Sequence, residues 1–525
     1  MPSNPQIASF NRRELLQRTS LGLLAMNLGG LSAPPAEAAI TTTSLPDEPL
    51  EIGSVPQFVF DLYAVDCTWA LKEKHEPVRR MFHRCQKHAA NPLLTGDQPS
   101  HFAVARDEPN GPFRMWYQVN QPIEYPGGRA KGQAQFRTFI GYAESSDGIA
   151  WERPNLDFYG DPTGKTVPRN CVLYRPDSPQ THFGIPQIVD VPQRDRRDYR
   201  YVMLYLAGGS NRTYRGIRLV GSRDGVRWDL EHDALISAIG SDHHNTIVHD
   251  PKLNEYVLYL RAKDIYLAPG QGRDRVDTGQ SRRGVARMAS KELWSEWKSR
   301  PQTIMVPDEV DAEHGYNYFY GMPLRREYGI YWGFLQSFRM NDYMHSELAT
   351  SRDGIRFERL PSRPKIVEYG ADGTWDDTMI LASPRWIEVG DEWWIYYCGF
   401  DGPHGIAERT GGIGLAKLRK EGFISLRGPK EGGVVCTRQM RWPGGELRVN
   451  ADARDGQMRV RVSDAYRKPL AGFDYEQSPT IRSDSVAHEI RWNGRSLAEL
   501  NDQVVRLEFL LHDADLYTFR ATGEA

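Results

Sequence analysis

Five short stretches of the chain concentrate carboxylates, imidazoles and aromatic rings. They are Asp97-Gln-Pro-Ser-His101, Thr181-His182-Phe183, Ser241-Asp242-His243-His244-Asn245, Asp308-Glu309-Val310-Asp311-Ala312-Glu313-His314 with Tyr316 and Tyr318 just beyond, and Trp375-Asp376-Asp377. Surface loops are commonly acidic, so any one of these groups alone reads first as solvated. Carboxylates in four of the five stretches are harder to assign to chance. Glycosidic bond cleavage needs one carboxylic acid to protonate the leaving oxygen and a second carboxylate to activate water or attack. Crowded carboxylates raise the pKa of one of their number, which keeps an acid protonated near neutral pH. Trp and Tyr faces stack on sugar rings.

The elements that would gather these stretches repeat along the chain. Aromatic strands recur at Phe113–Tyr117, Tyr201–Tyr205, Tyr256–Tyr259, Tyr331–Phe334 and Trp393–Tyr397, each preceded and followed by another apolar run. Three units close on nearly the same turn: Ser145-Ser-Asp-Gly-Ile-Ala-Trp151, Ser222-Arg-Asp-Gly-Val-Arg-Trp228 and Ser351-Arg-Asp-Gly-Ile-Arg-Phe357. Asp-Gly supplies the φ > 0 residue of a two-residue hairpin, and the aromatic residue beyond packs on one face. Four antiparallel strands repeated five times predict a five-bladed β-propeller over residues 55–426. In a propeller the first strand of each blade lines the central channel, so the five stretches converge on one mouth. Beyond residue 426 the period stops. Short alternating runs separated by Gly444-Gly445, Asp455-Gly456 and Asn493-Gly494 predict a C-terminal β-sandwich over 430–525.

Composition agrees with an all-β fold. The 525 residues hold 13 Trp and 25 Tyr beside 48 Gly and 34 Pro, a mixture suited to sugars or peptides more than nucleotides. Net charge is −2 with no long basic run, which argues against a nucleic-acid partner. Asn11-Arg12-Arg13, a short apolar stretch from Leu21 to Leu31 and Ala36-Glu37-Ala38 read as a twin-arginine signal over 1–38. The expected location is therefore periplasmic or extracellular, with no membrane span. The five cysteines include no Cys-x-x-Cys pair, and the spacing allows a Cys67–Cys85 disulfide in an oxidising compartment.

The turns and the five-unit architecture resemble the five-bladed propeller glycosidases typified by glycoside hydrolase families 43 and 32, over roughly Val55 to Leu426. The Gly412–Leu426 stretch and the appended sandwich look closest to an exported bacterial branch. The resemblance implies a base or nucleophile in blade one, an orienting Asp in blade three and a general acid in blade four. By position these fall on Asp97, Asp242 and Glu313. Asp61 and Asp66 compete with Asp97, whose Asp-Gln-Pro departs from the family's Asp-Pro, and Glu309 and Asp311 compete with Glu313. The Asp376-Asp377 pair is not required by the family pattern.

Asp61, His101, His182, His243, His244, Arg261, His314, Tyr318, Trp375, Asp376 and Asp377 are the expected substrate-binding groups. Each histidine admits a structural role, recognition of hydroxyls, or a metal or phosphate contact, and a structural cation is compatible with the carboxylates. Arg261 reads either as a partner for a carboxylate or as a reader of acidic sugars. No cofactor is expected. The leading reading is an exported glycoside hydrolase acting on a poly- or oligosaccharide. A glycoside phosphorylase of the same fold and a non-catalytic glycan-binding propeller are the alternatives.

Overall fold

The computed structural model describes residues 48–523 except 62, 73–75, 97–98, 123–135, 161–166, 177–180, 210–213, 240, 263–282, 340–341 and 405–408. The expected signal over 1–38 and Asp97 fall outside the described residues. The chain divides into the units Met1–Glu48 and Pro49–Ala525, and every strand among the described residues lies in the second.

Five four-stranded antiparallel units follow one another. The first comprises Ser100–Arg106, Phe113–Pro122, Phe136–Ser145 and Cys171–Leu173; the second, Thr181–Ile188, Tyr201–Gly209, Gly216–Ser222 and Ala234–Ser237. The third comprises Thr246–Asp250, Glu255–Ala262, Gly284–Ser290 and Gln302–Met305. In the fourth the inner strand is split into Tyr318–Phe319 and Leu324–Glu327, ahead of Ile330–Phe338, Met344–Ser351 and Glu358–Arg359. The fifth, Met379–Ala382, Glu392–Phe400 and Gly411–Arg419, takes its outer strand from Gln86–Lys87, upstream of the first unit, with Lys87 opposite Ala416.

Alternating large side chains on both faces of these strands fill five cores, each shared by neighbouring units. Trp116 and Tyr142 of unit one meet Phe183 and Tyr205 of unit two. Leu204 and Leu219 of unit two meet Ile247 and Leu258 of unit three. Tyr259 meets Phe319 and Tyr331 between units three and four, and Trp332 meets Trp386 and Trp393 between four and five. The fifth core closes the circle, because Phe113 and Met115 of unit one pack with Trp394, Tyr396 and Phe400 of unit five. A ring of sheets of this kind is a β-propeller.

The repeated turn is the clasp between neighbours. Within each copy the Ser hydroxyl accepts from the Gly amide, and the Asp carboxylate accepts from the next two amides (2.9, 2.8 and 2.8 Å at Ser145/Asp147). The Gly carbonyl then accepts from an aromatic residue of the preceding unit. Tyr396 Oη reaches Gly148 at 2.8 Å, Trp116 Nε1 reaches Gly225 at 2.6 Å and Tyr259 Oη reaches Gly354 at 2.7 Å. The three glycines lie at φ 76°, 83° and 69°, as Asp-Gly requires. The loop is longer than a two-residue hairpin, however: in the second unit strand contact resumes only at the Ser222–Trp228 pair. The extra residues carry the glycine out to the neighbouring sheet.

Two further sheets enclose one core that includes Trp442, Met458, Trp492, Phe509 and Phe519. Their strands come from both ends of the chain. Gln57–Phe58 pairs with Asp515–Ala521, Val65–Ala70 with Gly433–Thr437, and Arg79–Phe82 with Ile424–Arg427. The segment 55–82, grouped with the propeller by sequence, thus supplies strands to these sheets before the chain enters the ring. All five cysteines are free; Cys85 is buried in the core between units four and five, and Cys67 faces Cys436 instead of Cys85.

Candidate functional site

The N-terminal ends of the inner strands converge on a cavity of about 440 Å³. Its wall carries His101, His182, Asp242, Tyr320, His404 and Arg409 from five consecutive units, with Gln118 and Asn120 beside them. Met344, Met379, Leu381 and Phe400 form an apolar side. A cavity of this size, with polar and apolar lining in about equal share, suits a small ligand or the end of a larger one.

Asp242 is the one carboxylate among the described residues lining this cavity. Its side chain is 71% exposed and ion-pairs with Arg261, which is only 6% exposed. The Arg261 guanidinium lies 5.4 Å from the Tyr320 ring centroid, and the Arg261 amide donates to Ser241 Oγ at 3.1 Å. Partial burial pushes the Asp242 carboxyl upward, but the positive charges of Arg261 and Arg283 outweigh it and hold the group below its usual range. Asp242 is therefore an ionised acceptor.

The imidazoles are neutral. Gln336 Nε2 donates to His244 Nδ1 at 2.7 Å, and His244 Nε2 lies 3.2 Å from His101 Nδ1. A ring whose Nδ1 accepts carries its proton on Nε2, so His244 donates to His101, whose own proton then sits on Nε2. Burial lowers His244 to about 4 and holds His101 well below the ordinary value, with the neighbouring histidines adding to the effect on His101. His404 is lowered to about 4 by burial and by Arg409 and Arg283, and His182 is lowered by burial and Arg137. His243 is buried behind the cavity and does not line it: its Nδ1 donates to the His244 carbonyl at 2.8 Å and its Nε2 accepts from Ser241.

Local irregularity aims these groups. His101 sits at φ 40°, where the register between the first two strands of unit one shifts, and Ile185 sits at φ 57° at the matching shift in unit two. Bulges of this kind re-aim side chains next to binding sites. Gln118 spans the two units by accepting from the Ile185 amide at 3.1 Å, over Gly184, where a Cβ would lie 2.4 Å from Gln118 Oε1.

The remaining expected site residues lie elsewhere. Asp376 is buried and accepts from Lys87 Nζ at 2.5 Å and Tyr397 Oη at 2.9 Å, so it fastens the closing strand. Asp377 binds the Gly373 amide and the Thr378 hydroxyl within its own turn. Trp375 stacks on Tyr397 at 5.6 Å. Glu313 and His314 are exposed at the end of the short helix Glu309–Glu313, outside the cavity wall, with His314 Nδ1 donating to the Val310 carbonyl. Glu309 is exposed, whereas Asp311 is buried and bonded bidentately to Arg359 at 2.8 and 2.6 Å. Tyr318 packs on Phe338. Asp61 accepts from Arg352 at 2.7 Å and Asp66 from Arg506 at 2.9 Å.

Sequence reasoning missed Gln118, Asn120, Tyr320, His404 and Arg409. His404 and Arg409 belong to the connection between the second and third strands of unit five, which opens at the same mouth as the start of an inner strand. Those connections were therefore the place to look. Among the described residues no group of three or more His, Cys, Asp or Glu side chains is placed to hold a metal ion.

No protein-family model matches this sequence, and no curated protein matches it. Among solved structures the chain is similar to an N-acetylgalactosamine deacetylase from F. plautii in complex with blood group B trisaccharide, at 18% identity over 65% of this chain and 95% of that one (TM-score 0.41). It is similar to a β-1,2-mannobiose phosphorylase from Listeria innocua at 14% identity over 64% and 97% (TM-score 0.42). A thermostable family-43 glycoside hydrolase shares 13% identity over 65% and 96% (TM-score 0.39). The activities in those names differ, and the likeness is one of fold alone.

Proposed function

We propose that this protein cleaves glycosidic bonds of an oligo- or polysaccharide whose end enters the cavity beside Asp242, and that it is exported by the twin-arginine route before it does so. The observation that carries the reading is an ionised carboxylate, backed by a buried guanidinium, in a cavity that also offers neutral imidazole, amide and phenol groups. These are the donors and acceptors that sugar hydroxyls pair with. Asp242 acts as the base or as the acceptor that orients a hydroxyl or water. Asp97, three residues before the cavity-lining Ser100, supplies the second carboxylate that glycoside cleavage requires. Glu313 is given no role.

Hydrolysis is the first reading. Phosphorolysis is the second, and it is favoured by the single carboxylate among the described lining residues, set beside Arg409 and three histidines. Inorganic phosphate would then take the place of water as nucleophile. The test is a screen of the purified mature chain against polysaccharides and aryl glycosides, with and without phosphate. Reducing sugar released without phosphate supports hydrolysis, and a sugar 1-phosphate formed only with phosphate supports the second reading. Silence across the panel with glycan binding by calorimetry would point to the non-catalytic alternative.

A further inference from the structure

Among the described residues the strand Val65–Ala70 is an edge strand, paired only with Gly433–Thr437. The first of these precedes the whole ring of five units and the second follows it. Cys67 and Cys436 are directly opposite each other in this antiparallel pair, so their side chains project from the same face. Directly opposite residues have Cα atoms about 4.5–5.5 Å apart, within the range of about 4.4–6.8 Å that a disulfide spans. Cys436 is fully buried and Cys67 is partly exposed, which gives an oxidant access to one of the two sulfurs.

We propose that Cys67 and Cys436 form a disulfide that closes the chain covalently around all five propeller units. The reaction is thiol–disulfide exchange with a disulfide oxidant, either glutathione disulfide or a thiol oxidoreductase of the exported compartment. The Cys67 thiolate attacks one sulfur of the oxidant and expels a thiolate. Cys436 then attacks the Cys67 sulfur of the mixed disulfide and expels the second. Two thiols are oxidised, the Cys436 proton passes to a departing thiolate, and the oxidant leaves as two thiols.

The surroundings suit Cys67 for the first attack. A hydrogen bond from Cys436 lowers its thiol to about 7, against the opposing effect of burial, and Arg467 and Arg506 add positive charge nearby. Cys85, Cys171 and Cys398 are buried and burial pushes each thiol up, so they stay reduced. The cross-link would hold the edge strand from which the chain runs on to Gln86–Lys87, the outer strand of unit five. The proposal does not depend on the glycan reading.

The test uses the full chain, oxidised with glutathione disulfide, alkylated with N-ethylmaleimide in denaturant and digested without reductant. The expected result is a Cys67 peptide joined to a Cys436 peptide, with the other three cysteines alkylated. Alkylation of both Cys67 and Cys436, a Cys67–Cys85 link, or a Cys67–glutathione adduct beside alkylated Cys436 would each overturn it. A second measurement compares thermal midpoints with and without dithiothreitol. The oxidised wild type should lose several degrees on reduction, and Cys67→Ser should show no reductant effect. Identical midpoints for oxidised and reduced wild type would overturn the clamp.

Discussion

Replacing Lys87 by Met tests how the ring is closed. The outer strand of unit five is only Gln86–Lys87, and its one charged tie is Lys87 Nζ to Asp376. Asp376 is 3% exposed at its side chain, whereas Lys87 is 27% exposed. The two deletions of this pair are therefore unequal. Lys87→Met leaves a buried carboxylate with the Tyr397 hydroxyl and a long contact from the Thr374 hydroxyl to stabilise it, and breaking a buried pair in this way costs about 3–5 kcal/mol. The surviving bond at 2.9 Å puts the expected loss near the lower end. Asp376→Ala leaves an ammonium that can turn toward water, so its cost is mainly that of lost hydrogen bonds, about 1–2 kcal/mol. Replacing both by apolar residues, as in Lys87→Met with Asp376→Leu, should fall within about 1 kcal/mol of wild type. Urea unfolding followed by tryptophan fluorescence is the assay, with Trp375 stacked on Tyr397 beside the clasp. Equal losses for the two single variants, or a larger one for Asp376→Ala, would refute the reasoning.

Other consequences are as direct. His244 titrates near 4 in the folded chain and near about 6.5 when unfolded, so the unfolded state binds the extra proton between those values. Its share of stability is present above about pH 6.5 and is lost as pH falls toward 4, about 3 kcal/mol in all; a thermal midpoint that is flat from pH 7.5 to 4.5 would contradict this. Gly354→Ala forces a side chain onto φ 69° with its Cβ 2.6 Å from Tyr259 Oη and should cost about 3 kcal/mol. Gly329→Ala, at φ 73° with open space around it, should cost only about 1–2 kcal/mol, and equal denaturation midpoints for the two would remove the clasp from the account.

The units and turns were legible in the sequence because their signals are local. Aromatic alternation marks a strand within a few residues, and Asp-Gly marks the turn that Ser145, Ser222 and Ser351 open. Asp376 was misplaced for the opposite reason. Its partner Lys87 lies in a strand 289 positions away, and nothing near Trp375-Asp376-Asp377 announces that strand. The same holds for Cys67, whose neighbour in sequence is Cys85 and whose neighbour in space is Cys436. Asp242 could be placed at the mouth because it shortly precedes an inner strand. His404 and Arg409 were not anticipated, because they arrive on the connection between the second and third strands of unit five.

The most direct test of the central claim is the turnover of Asp242→Asn beside Glu313→Gln on whichever glycan the screen identifies. Asp242→Asn should lower kcat by about 100-fold or more with the thermal transition retained, and Glu313→Gln should turn over like wild type. Full turnover by Asp242→Asn, or a loss confined to Glu313→Gln, would contradict the assignment of this cavity as the active site.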